Sequence, residues 1–132
     1  MWLHDMVAHM KETNRRKLIG QIVRDEVARQ GTVLDVSRRA GRGMSPSTFY
    51  RVFEGHPKTS LITFRAVEKA LDLPDNLLDL MLAGDIAAIA AIPDTEIRPG
   101  MKRNILAGLS RIDAEEVEGH EGHDNNKHTQ AL

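Results

Sequence analysis

Cysteine is absent from this chain, which removes disulfides, thiolate zinc sites and thiol catalysis from consideration and is compatible with a reducing cytoplasm. Aromatic residues are few, at 4%, and β-branched runs of strand type are scarce. No apolar run reaches the length needed to span a bilayer. The opening Met1-Trp2-Leu3-His4-Asp5 has no basic stretch leading into an apolar one and does not read as a secretory signal. A glycine-rich phosphate loop is missing, as is any Ser/His/Asp arrangement on a strand-turn-helix frame, so nothing points to catalysis or to a bound cofactor. What remains is Leu, Ala, Arg and Glu in quantity, and the expectation is an all-α protein of a single domain's length, 132 residues.

The formal net charge of −1 conceals an uneven distribution. Residues 11–74 hold 13 Lys/Arg against 7 Asp/Glu, whereas residues 75–132 hold 5 against 11. A near-neutral total would argue against a polyanionic partner, but local charge is what meets phosphate, and here it is positive over one half of the chain.

Apolar spacing and capping residues divide the chain into helices. Leu3, Met6, Val7 and Met10 share one face, with Asn14 placed to cap or bend the next stretch. Leu18, Ile19, Ile22, Val23, Val27 and Ala28 continue a stripe that Gly31 ends. Thr32 caps a short helix with Asp35 three residues on, and that helix closes near Ala40-Gly41. After the turn Arg42-Gly43-Met44, Ser45 is an N-cap with Pro46 in the first helical position. This helix stops at Gly55. Thr59 or Ser60 caps the next, whose expected buried stripe is Leu61, Phe64, Val67, Ala70 and Leu71, ended by Pro74. Residues 75–112 hold two apolar stretches, from Asn76 to Ile92 with an interruption at Gly84-Asp85, then a linker from Pro93 to Arg98, and a last stripe of Met101, Ile105, Leu109 and Ile112. They either complete the core or form a seam for a dimer or partner. From Asp113 to Leu132 the chain is acidic, His-rich and nearly without large apolar residues, and is expected to be disordered.

The pair of short helices between Thr32 and Gly55 carries the functional argument. Val36, Ala40, Met44, Phe49 and Val52 face inward, with small Ser37 at the closest approach of the two helices. Pro46, Ser47, Tyr50, Arg51 and Glu54 are left outside. An exposed helix has the width of the DNA major groove, and side chains in its first turns reach base edges. The alternative for these residues is that Tyr50 packs inward with Phe53 outside, and that Arg51 pairs with Glu54.

The segments Ser45-x-Ser47-Thr48-Phe49-x-Arg51-Val52-x-x-Gly55 and Thr59-Ser60-Leu61-x-Thr63-Phe64-x-x-Val67-x-x-Ala70-Leu71-x-Leu73-Pro74 resemble the recognition helix and the following helix of the lambda-repressor-like, Cro-type helix-turn-helix family. The resemblance covers residues 14–74. Val33 stands where that family often has a DNA-touching Gln, and the turn is two residues longer through Arg42-Gly43. The resemblance implies an all-α helix-turn-helix domain over residues 1–74. Ser47, Tyr50 and Arg51 then inherit base- and backbone-contacting positions, and Ser60 with Lys58 a phosphate contact. Arg38, Arg39, Arg42, Ser45 and Pro46 complete the candidate DNA-binding surface. The partner implied is double-stranded DNA, bound by a cytoplasmic transcriptional regulator, a repressor similar in size and build to phage immunity repressors. Either a homodimer on paired half-sites or a monomer on an asymmetric site satisfies this. A rival from another class is a protein-interaction module such as an antitoxin, whose C-terminal half wraps a partner protein.

Other polar clusters carry less. His120, Glu121, His123, Asp124 and His128 have ligand-type side chains but no capped scaffold, so they are expected to be solvated and no metal site is assigned. Arg15, Arg16 and Lys17 read equally as a phosphate contact or a solvated face, and His4 and His9 as surface residues of a helix.

Overall fold

The structure, a computed structural model, describes the backbone of residues 2–41 and 44–131 and the side chains of residues 3–41 and 44–115. Seven helices and no strand occur among the described residues: α1 (Trp2–Gln30), α2 (Val33–Ala40), α3 (Pro46–Phe53), α4 (Leu61–Leu71), α5 (Leu77–Ala83), α6 (Ile86–Ala90) and α7 (Pro99–Ala131). None of them is long and apolar enough to cross a membrane.

The local signals for the short helices act as their chemistry requires. The Thr32 hydroxyl accepts from the Asp35 amide while Asp35 accepts from the Thr32 amide, a reciprocal box that starts α2. Ser45 accepts from the Thr48 amide at 3.3 Å and Ser60 from the Thr63 amide at 3.2 Å, which settles the cap of α4 on Ser60. Asp85 does the same for Ala88 at the start of α6.

The long α1 is the spine. Asn14 neither caps nor bends it, because strong helix formers lie on both sides and Arg15 and Arg16 are held by distant partners. Ile19, Ile22, Val23 and Val27 are buried along it, whereas Ala28 is exposed. At Gly20 the backbone of α1 meets the end of α3 so closely that a Cβ would overlap the Val52 and Phe53 carbonyls. On another side Leu18 packs against Gly108 of α7. One connected core runs from Ile19 to Leu109 and takes in Leu77, Leu78 and Met81 of α5, Ile89 of α6, and Met101 and Ile105 of α7. The apolar C-terminal helices therefore complete the core of the helices before them.

Three expectations change. Leu61 is 56% exposed, and the buried face of α4 is completed by Glu68 instead. The segment 93–98 is a string of turns, but it contributes buried Ile97 to the core and is more than a linker. Arg15 turns inward, donating to the Leu82 carbonyl at the end of α5 and pairing with Asp113, while Arg16 donates to the Thr59 carbonyl. From Asp113 the backbone continues α7 to Ala131. No proline interrupts that run, and Asp113, where it begins, is tied down by Lys11 and Arg15.

Glu26 joins the C-terminal end of α1 to the turns that precede α7. It is buried in α1 and accepts from Arg29, Gln30 and Arg98, at 2.7, 2.8 and 3.0 Å for the shortest contact of each. Burial alone would raise its pKa, but the donors from Arg29, Gln30 and Arg98, with the Arg29 charge, outweigh it and hold the carboxyl at about 2, against 4.5 for the free side chain. A carboxyl depressed on folding stabilises the protein above its unfolded pKa, and that stability is lost as pH falls through its folded pKa. The contribution, about 3 kcal/mol at neutral pH, should disappear between about pH 5 and pH 2. Urea unfolding of the parent and of Glu26→Gln across this range checks it. The gap between the two should close on acidification, and parallel curves would show that Glu26 carries no such load.

Candidate nucleic-acid interface

Helix α3 has eight residues, too few to hold its shape alone, so its position is set by what it buries. Phe49, Val52 and Phe53 point into the core and Met44 closes the entry. The same 3.6-residue period leaves Ser47, Tyr50, Arg51 and Glu54 exposed on the opposite face, with Pro46 half-buried. Tyr50 is 52% exposed, while Phe53 is buried beneath it with the rings edge-on at 5.6 Å. Tyr50 is thus outside and Phe53 inside, and among the described residues Arg51 forms no ion pair with Glu54.

Beside α3 lies a groove of about 240 Å³, lined by Thr48, Arg51, His56, Lys58, Thr59, Ser60 and Thr63. Two cations, an imidazole and four hydroxyls make it, and no carboxylate enters the lining. The loop that forms its floor is tightly bonded. Gly55, with φ +73°, ends α3 against the α1 backbone at Arg16 and Lys17. The His56 amide donates to the Arg51 carbonyl, and the His56 carbonyl accepts from both the amide and the hydroxyl of Thr59. The Lys58 amide donates to His56 Nδ1 at 3.1 Å, which leaves Nε2 to carry the ring proton and act as a donor. Behind the loop, Arg16 holds the Thr59 carbonyl from α1. The first turn of α4 adds the unpaired amides of a helix N-terminus.

No protein-family model, no curated protein and no solved structure matches this chain.

The structure brings Arg51, Lys58 and Ser60 together on one groove and sets Ser47 and Tyr50 on the adjoining face of α3. Ser45 lies at the start of the same helix, its hydroxyl occupied by capping, and Pro46 follows it. Arg38 is exposed on α2. Arg39 is placed elsewhere: its guanidinium donates to Gln30 at 2.9 Å and lines a different cavity with Glu26, Arg29 and Leu71. Arg42 lies outside the described residues, as do the side chains of His120, His123 and His128. Sequence reasoning missed Thr48, His56, Thr59 and Thr63. Thr48 is three residues before Arg51, and Thr63 three after Ser60, so helical spacing alone puts each beside a residue already singled out.

Proposed function

We propose that this chain is a sequence-specific DNA-binding regulator of the lambda-repressor-like helix-turn-helix type, in which α2 and α3 form the motif and α3 enters the major groove. The observation that carries the reading is the groove of Arg51, His56, Lys58 and four hydroxyls, with no carboxylate in its lining, set directly against the exposed row of α3. A phosphate needs donors and positive charge, and a base edge needs short polar side chains presented on a rigid helix. Both are available here on neighbouring surfaces. Ser47, Tyr50 and Arg51 read bases or sugar edges. Lys58, His56 and the α4 N-terminus hold one phosphate strand and fix the register. Regulation is then steric, by a repressor that covers a promoter. The rival of a C-terminal half that wraps a protein partner loses its main support, because Leu77, Leu78, Met81, Met101 and Ile105 are already buried in the chain's own core.

The test begins by selecting duplexes from a random pool on the full chain at low salt, then measuring affinity by fluorescence anisotropy across a salt series. Neutralising about five phosphates predicts a log–log slope near −4 to −5. Arg51→Ala should cost about 1–3 kcal/mol on the selected duplex and relax preference at one position, whereas Lys58→Ala should weaken selected and scrambled duplexes alike and reduce the slope by about 1. No detectable duplex binding at low salt would overturn the reading.

A further inference from the structure

The groove beside Lys58 accounts for only one side of α3. A helix lying in the major groove has a phosphate backbone along each flank. Thr48 and Phe53 lie on opposite flanks of the exposed row Ser47, Arg51 and Glu54, since residues five apart fall on well-separated sides of a helix. Thr48 belongs to the groove beside Lys58. What stands on the Phe53 flank is Arg24 of α1. Its guanidinium carbon is 5.4 Å from the Phe53 ring centroid, and Phe53 in turn meets Tyr50 edge-on at 5.6 Å. Arg24, Phe53 and Tyr50 therefore form one continuous series from the spine to the exposed face of α3.

We propose that Arg24 is the second phosphate contact of this interface, gripping the strand across the major groove from Lys58 and Ser60; the proposal rests on the DNA-binding reading above. Arg24 is exposed, and among the described residues no carboxylate pairs with it. In this it resembles Arg51 of the candidate interface, whereas Arg15, Arg16, Arg29, Arg65 and Arg98 carry an acidic partner. The cation–π contact with Phe53 sets the guanidinium beside α3, and among the described residues no acceptor takes its N–H donors, which leaves them for an anion. The ring contact also restricts the long side chain beforehand, so less rotamer freedom is lost on contact. Lysine cannot reproduce this, having a compact charge and no planar edge. The packing of Gly20 against the Val52 and Phe53 backbone keeps α1 and α3 in fixed register, so that Arg24 keeps its place on this flank.

The experiment compares parent, Arg24→Ala, Arg24→Gln, Arg51→Ala and the control Arg111→Ala, a cation on α7, on selected and scrambled duplexes over a salt series. Thermal melting by circular dichroism confirms folding; if Arg24→Ala fails to fold, Arg24→Gln, which keeps the stem over Phe53, carries the measurement. The expected result is an affinity loss of about tenfold on both duplexes and a salt slope shallower by about 1 for the Arg24 variants, with the slope of Arg111→Ala unchanged. A purely structural role for Arg24 would lower the melting temperature without altering the slope. If the parent binds and Arg51→Ala weakens it, but the Arg24 variants match the parent, the second contact is wrong while the DNA-binding reading stands. A loss confined to the selected duplex would also overturn it, since that would place Arg24 behind base reading through Tyr50. If the parent binds no duplex, the underlying reading falls and this proposal with it.

Discussion

Phe49→Ala is expected to lower the unfolding free energy by about 3–5 kcal/mol. Phe49 is fully buried and is among the largest such side chains in the protein, with the Phe53 ring 6.4 Å away. Truncation removes its transfer free energy and leaves a cavity where α3 meets the core, and the surrounding helices cannot collapse freely. The close approach at Gly20 already fixes the distance between α1 and α3. For a domain of this size such a loss is a large fraction of the total stability. The effect should also reach function. α3 buries only Phe49, Val52 and Phe53, so losing the central anchor should loosen the helix that presents Ser47, Tyr50 and Arg51. Urea unfolding of Phe49→Ala beside Phe49→Leu checks this, the leucine variant retaining most of the stability because it fills most of the volume. A midpoint unchanged in Phe49→Ala would show that α3 is not anchored through this face.

The features legible in the sequence are local ones. A cap needs only a hydroxyl or carboxylate and the amide three residues on, so Thr32, Ser45 and Asp85 can be placed without knowing the fold, and the cap of α4 narrowed to Thr59 or Ser60. The inward residues of α3 come from helical period in the same way. Features that depend on distant partners are not legible. Asn14 reads as an interruption because nothing nearby shows that Arg15 and Arg16 are held by Leu82, Asp113 and Thr59. Arg39 lies in a basic run next to the candidate motif, yet its side chain turns back to Gln30, a contact no spacing rule announces. The groove is half-visible: Arg51, Lys58 and Ser60 come from pattern, and helical spacing puts Thr48 and Thr63 beside Arg51 and Ser60, whereas the two helices and His56 come together only once the loop 54–60 folds back between them. Two acids escape for a common reason. Glu26 and Glu68 sit at stripe positions, and a charge at a stripe position reads as a gap in the apolar face until its donors are known.

The second large effect concerns one of those acids. Glu68→Ala is expected to cost about 3–4 kcal/mol. Glu68 is 2% exposed, yet its carboxylate accepts from Arg65 at 2.6 Å, from the Asn76 amide at 3.1 Å and from the Leu78 amide at 2.8 Å. Helix α5 needs this. Its N-cap residue Asn76 is left-handed, with φ 68°, and makes no side-chain cap bond, so the carboxylate from α4 does the capping across the chain. A negative charge at a helix N-terminus adds to the benefit. Removing it leaves two amides without an acceptor, one of them on Leu78, whose surroundings are fully buried and closed to water. Arg65 loses less, being partly exposed and still paired with Asp79. Most of the cost therefore falls on the start of α5, which carries Leu77, Leu78 and Met81 into the core against α1. Glu68→Gln keeps one acceptor oxygen, enough for the Leu78 amide, but turns an NH2 donor toward Arg65 and the Asn76 amide and loses the charge, so it should recover only part of the cost. Denaturant unfolding of the two variants at pH 7 separates the contributions. Glu68→Gln as costly as Glu68→Ala would show that a single neutral acceptor does not hold the start of α5. Neither variant departing from the parent would show that α5 is capped by some other group.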